Sequence, residues 1–182
     1  MLNLTEKSAC EGLLPLTVGS VSLKEISAPV ITALGLGQRE KKALSAALKA
    51  RHGMTLPAAQ RATGKASARC IWYGAHYLLI GPVPHSDLAA YAAVVDQSDG
   101  FAVITIDGTQ SRDVLARLVP IDLAPDAFKR GQSARSLLHH IHISITRISA
   151  DGFLILAARS MAGTLVEDLK TAMENVAARH KA

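Results

Sequence analysis

The sequence predicts an α+β fold: a ferredoxin-like split βαβ lobe, with an antiparallel sheet and its helices on one face, continued by a second small αββα lobe. Three observations carry that expectation. Residues 29–106 read in the order strand, helix, strand, strand, helix, strand. A β-rich run at 137–148 returns through Asp151-Gly152, a hairpin signal, into 153–157. Near the C-terminus Leu165, Leu169, Ala172, Met173 and Val176 form one helical stripe.

Taken in order, residues 1–27 alternate polar and apolar positions only weakly around Gly12, Pro15 and Gly19, which predicts an N-terminal arm with at most one short helix. A single domain follows over 28–182, in lobes of about 28–108 and 109–182. Pro29-Val30-Ile31-Thr32-Ala33-Leu34 is β-prone, and Ala43, Leu44, Ala47 and Leu48 recur at helical spacing within 38–51 before Gly53 stops the helix. Residues 54–67 read as a connection, and 68–73 with 77–80 as a hairpin around Gly74-Ala75-His76. After Pro82 and Pro84, Leu88, Tyr91, Ala92 and Val95 suggest a helix, and Asp99-Gly100 turns the chain into a strand at 101–106. The second lobe has a helix at 111–118, a long loop at 120–131, the 137–148 run with Ile141, Ile143 and Ile145 on one face, the return strand, and a last helix capped by Ser160.

The chain has 182 residues, enough for one cored domain. It is 49% hydrophobic but only 4% aromatic, so its apolar content is aliphatic. No apolar run reaches membrane-span length and no signal peptide is visible, which predicts a cytoplasmic protein without membrane contact. Cys10 and Cys70 fit neither a disulfide framework nor a CxxC site. The net charge of +5 comes from 20 basic residues dispersed among 15 acidic ones, a pattern suited to docking on an acidic protein surface rather than to nucleic acid.

Motifs for chemistry are missing. His139-His140-x-His142 places two histidines on one strand face, but a third nearby ligand is lacking and Arg135 and Arg147 flank the run, so no metal is expected. There is no Gly-x-Ser-x-Gly elbow, and Cys70 sits in an apolar strand. Asp96, Asp99 and Asp107 fall where turns use aspartate locally. Gly35-Leu36-Gly37 lacks the third glycine of a dinucleotide fingerprint, and Gly64-Lys65-Ala66 is not a phosphate loop. Trp72, Tyr73 and Phe101 lack the basic-aromatic context of an RNA-binding sheet. No catalytic, cofactor-binding or metal residue is expected in this chain.

From about residue 69 onward a series of short motifs runs in one order: Ile71-Trp72-Tyr73-Gly74, Leu78-Leu79-Ile80-Gly81-Pro82, Val95-Asp96-Gln97-Ser98-Asp99-Gly100, Val119-Pro120-Ile121-Asp122-Leu123, Phe128-Lys129-Arg130-Gly131, Ala134-Arg135-Ser136-Leu137-Leu138-His139, Ile145-Thr146-Arg147, and Arg159-Ser160-Met161-Ala162. Together these resemble the gamma subunit of heterotetrameric sarcosine oxidase, over roughly residues 28–178. Met161, Ala75-His76 and the histidines near 140 depart from the usual pattern.

The resemblance implies a fold related to aminomethyltransferase and folate-binding proteins. It also implies a non-catalytic subunit working in an enzyme that oxidatively demethylates sarcosine, with FAD, FMN, NAD, zinc and tetrahydrofolate carried by the alpha, beta and delta subunits. On that reading Arg135, His139, His140, His142, Arg147 and Arg159 are the expected partner-contact residues, since arginine makes planar bidentate contacts to carboxylates. The alternative is a stand-alone folate-binding or one-carbon-transfer protein of the aminomethyltransferase type.

Overall fold

The computed structural model describes residues 7–26, 30–36, 41–65 and 68–179. In chain order the strands are β1 (Leu16–Val18), β2 (Val21–Glu25), β3 (Val30–Gly35), β4 (Ala62–Lys65), β5 (Ala68–Trp72), β6 (Tyr77–Gly81), β7 (Ala93–Asp96), β8 (Phe101–Asp107), β9 (Ser133–Leu138), β10 (Ile141–Arg147) and β11 (Gly152–Ala158). The helices are α1 (Lys41–His52), α2 (Ser111–Leu115) and α3 (Ala162–Arg179). The strands build two sheets, one in the order β1-β2-β8-β11-β10-β9 and one in the order β4-β5-β6-β3-β7. Every pairing among the described residues is antiparallel. The fold is α+β, as the sequence predicts.

Strand alternation decides the layering. In β6, Tyr77 and Leu79 point to a core shared with Leu44 and Leu48 of α1, while Leu78 and Ile80 point the other way. In β11, Leu154 and Leu156 meet that second face, and Phe153, Ile155 and Ala157 turn toward Leu165, Leu169 and Met173 of α3. The result is four layers: α1, the five-stranded sheet, the six-stranded sheet, then α2 and α3. Both sheets are covered on both faces, which is why β6 and β11 are near-continuous apolar runs rather than alternating ones.

Several expectations hold. The β5–β6 hairpin forms, α1 ends where Gly53 adopts φ 68° and donates to the Lys49 carbonyl, and Ile141, Ile143 and Ile145 share one face. The α3 stripe is buried together with Ala162 and Val166. Predicted elements at Pro29 and at Gln38 begin outside the described residues.

Other expectations are corrected. Residues 86–95 are not a helix: only Ser86–Ala90 forms a 3-10 turn, and Ala93–Asp96 is strand, because the β-branched pair Val94-Val95 pairs with Leu34 and Ala33 of β3. The ferredoxin-like neighbour order β5-β6-β3-β7 therefore closes with β7, and residues 101–107 cross into the other sheet. Residues 16–25 are not an arm but a hairpin on β8, with Val21 and Leu23 in the core. That signal is short, two inward residues, and so reads weakly in sequence. The six-stranded sheet draws strands from both sides of residue 108, so the sheets do not divide the chain there. The 137–148 run breaks at His139-His140, a two-residue turn between β9 and β10 with His139 at φ 49°. Ser160 lies inside a 3-10 turn, Arg159–Met161, that leads into α3, and the N-cap position of that turn is Ala158, which makes no side-chain cap bond.

Candidate partner-docking site

The structure brings only part of the predicted set together. Arg135 and His142 line one cleft of about 340 Å³ with Tyr73, Pro120, Ser136, Leu137 and Ile143. His142 faces Leu137 across the β9–β10 ladder, and Arg135 faces Ser144. His139 sits in the preceding turn, where its Nδ1 lies 3.2 Å from Asp168 Oδ2 of α3. His140 occupies the same turn and not the strand, so the expected same-face pairing with His142 does not arise.

The cleft's cation is held in place by aromatics. The Arg135 guanidinium carbon lies 4.7 Å from the Tyr73 ring centroid, and Tyr73 in turn sits edge-on to Phe101 at 5.9 Å and tilted against His76 at 5.2 Å. Burial, with Arg135 as the lesser cause, lowers the His76 pKa. The turn between β5 and β6 delivers Tyr73 and His76, β8 delivers Phe101 and β9 delivers Arg135. The site thus straddles the seam between the two sheets. Sequence reading singled out Arg135 and His142 but discounted Tyr73 and Phe101. Their partner is 62 positions from Tyr73 in the chain, and no local period encodes such a pairing.

Arg147 departs from the expected exposed contact. It is 3% exposed, its guanidinium donates to the carbonyls of Ala150 and Leu123, and it lies over the Phe153 ring at 4.7 Å. Its role is to tie the 120–131 segment and the β10–β11 turn to the sheet. Arg159 is also separate from the cleft: it is half-buried and donates to the Lys7 carbonyl, beside a shallow depression lined by Ser8, Asp99 and Ser160.

The arrangement offers a fixed cation on an aromatic shelf, which suits recognition of carboxylates. Both thiols are buried, burial pushing Cys70 up to about 12 and burial with the Glu25 carboxylate pushing Cys10 up to about 11. Asp96 accepts from the Ser98 backbone and hydroxyl, the local turn role that its position predicts, and those bonds lower its pKa. Among the described residues, no three His, Cys, Asp or Glu side chains gather into a metal-sized group.

This is an α+β chain of two packed antiparallel sheets, and solved structures share the fold. A chain of the heterotetrameric sarcosine oxidase from Corynebacterium sp. U-96, in complex with pyrrole 2-carboxylate, matches with a TM-score of 0.77 over 94% of this chain and 96% of that one, at 22% identity. Glycine cleavage system aminomethyltransferase T from Bartonella henselae matches with a TM-score of 0.54 over 84% of this chain but 46% of that one, at 18% identity. No model of a known family matches the sequence, and no curated protein does.

Proposed function

We propose that this chain is the gamma subunit of a heterotetrameric sarcosine oxidase, acting in assembly and stabilisation of a flavoenzyme and carrying out no reaction itself. The observation that carries the reading is the end-to-end match: 94% of this chain against 96% of a chain from such an oxidase, whereas less than half of the aminomethyltransferase is matched. The ordered motifs between residues 71 and 162 support it independently. On this reading the assembled enzyme converts sarcosine, oxygen and water to glycine, formaldehyde and hydrogen peroxide, or passes the one-carbon unit to tetrahydrofolate. The flavins, NAD, zinc and folate belong to the alpha, beta and delta subunits. The assembly is cytoplasmic; no described helix is long and apolar enough to cross a membrane.

Calorimetry of the isolated chain with tetrahydrofolate tests the reading. No heat of binding is expected. Saturable binding would instead favour a stand-alone folate-binding or one-carbon-transfer protein.

A further inference from the structure

Strand β9 is one of the two edge strands of the six-stranded sheet. Leu138 pairs with Ile141 across the two-residue turn, so Leu138, Ser136 and Ala134 exchange hydrogen bonds with β10, and Ser133, Arg135 and Leu137 direct their backbone groups outward. The outward direction is visible at Ser133, whose N–H donates to the Gln60 carbonyl at 2.9 Å. The chain's own residues 60 and 61 thus begin to extend the sheet, with Arg61 bridging to Gln132, and then leave it. Among the described residues no backbone partner continues that pairing at Arg135 or Leu137.

Arg135 gives the open stretch a cation, and further arginines gather toward its Gln132 end. Arg61 and Arg135 lie along the edge, and Arg69 is near enough to Arg130 for the second charge to add to burial in lowering its pKa. Among the described residues none of these four arginines has a carboxylate partner. Leu137, 38% exposed, and Tyr73 supply apolar surface beside them. A second copy pairing edge to edge would set arginine against arginine, which like-charge repulsion disfavours. An acidic strand relieves the repulsion and satisfies the free N–H and C=O groups together.

We infer that the β9 edge is a docking strand for an extended acidic segment of a partner polypeptide. The segment pairs with Arg135 and Leu137, sets its carboxylates on the arginines and lays alternate apolar side chains on Leu137 and Tyr73. This goes beyond the subunit assignment and stands on the geometry and charge of the edge.

The test is fluorescence anisotropy of the full chain with a short labelled peptide alternating glutamate and valine. A peptide of equal charge with proline at the valine positions, and an oligothymidine, serve as controls. The alternating peptide binds, and the proline peptide binds about tenfold more weakly because it cannot donate to the edge. Arg135→Glu weakens binding about tenfold or more through charge reversal. Leu137→Pro does the same by removing one outward N–H and no β10 hydrogen bond; circular dichroism checks that both variants stay folded. Equal binding of the proline peptide, tighter binding of oligothymidine, no binding of the alternating peptide, or unchanged affinity in either folded variant overturns the inference. Co-purification with a flavoprotein is a separate readout, so the two proposals fail independently.

Discussion

The guanidinium of Arg147 lies over the ring of Phe153, its antiparallel partner across β10 and β11, while donating to two carbonyls from different loops. Both residues are buried. Arg147→Ala removes the cation and leaves the Leu123 and Ala150 carbonyls without that donor, so it should destabilise the chain by roughly 3 kcal/mol. Arg147→Lys should recover only part, because one ammonium does not reproduce the guanidinium fork. Thermal unfolding of the two variants measures both effects.

Arg135 is the contrasting case. It is exposed and packs on Tyr73 from outside the core. Arg135→Ala should therefore cost less than about 1 kcal/mol in stability. A loss as large as that of Arg147→Ala would show that Arg135 is a structural tie and not a recognition residue.

The junction of β2 and β8 depends on a glycine. Gly108 has φ 137°, and a Cβ there would sit 1.9 Å from the Ser20 carbonyl oxygen. Gly108→Ala should destabilise the chain by about 2 kcal/mol or more, through backbone strain and displacement of the β1–β2 hairpin. Hydrogen exchange should show the loss first in residues 16–25. Uniform protection there would mean the hairpin is not held by this contact.

What the sequence revealed and concealed follows from the range of each signal. The α3 stripe, the β5–β6 hairpin and the Ile141, Ile143, Ile145 face are periodic within a few residues and were legible. The β1–β2 hairpin is not legible in sequence because Val21 and Leu23 are buried by strands and helices more than 80 positions away. Leu88, Tyr91, Ala92 and Val95 fit a helical face equally well in sequence, and only the pairing of Val94 and Val95 with β3 decides against it. In the candidate site Arg135 and His142 read as partner-contact residues from sequence, whereas the β9–β10 turn that brings both to one cleft lies inside a run that reads as a single strand. The burial of Arg147 was invisible, since an arginine in a strand carries no local mark of which carbonyls it meets.

Two histidines contribute to the acid limb of stability. Burial lowers the pKa of His52 and of His76 below the ordinary 6.5, with His85 and Arg135 as lesser causes, and His52 Nε2 accepts from the His85 backbone N–H at 3.3 Å. The unfolded chain then takes up protons first, so this stability is present above pH 6.5 and is lost as pH falls through the lowered folded values. A His52→Gln, His76→Gln double variant should show a flatter decline in melting temperature on acidification. An unchanged decline would assign it to the carboxylates instead.

The thiols set an alkaline counterpart. Cys10 and Cys70 have folded values of about 11 and about 12 against an ordinary 9.0, so the stability they contribute is present below pH 9 and is lost as pH rises through the folded values. Native protein at neutral pH should resist thiol reagents, and unfolded protein should react at both cysteines. Fast labelling of either one in the native state would contradict its burial.

The most direct measurement is affinity capture of a tagged copy of this chain from its own cells, followed by sizing and a visible absorption spectrum of the eluate. The account predicts a large complex with a flavin spectrum and sarcosine-dependent hydrogen peroxide production. A colourless chain, eluting by itself and binding tetrahydrofolate, would contradict it.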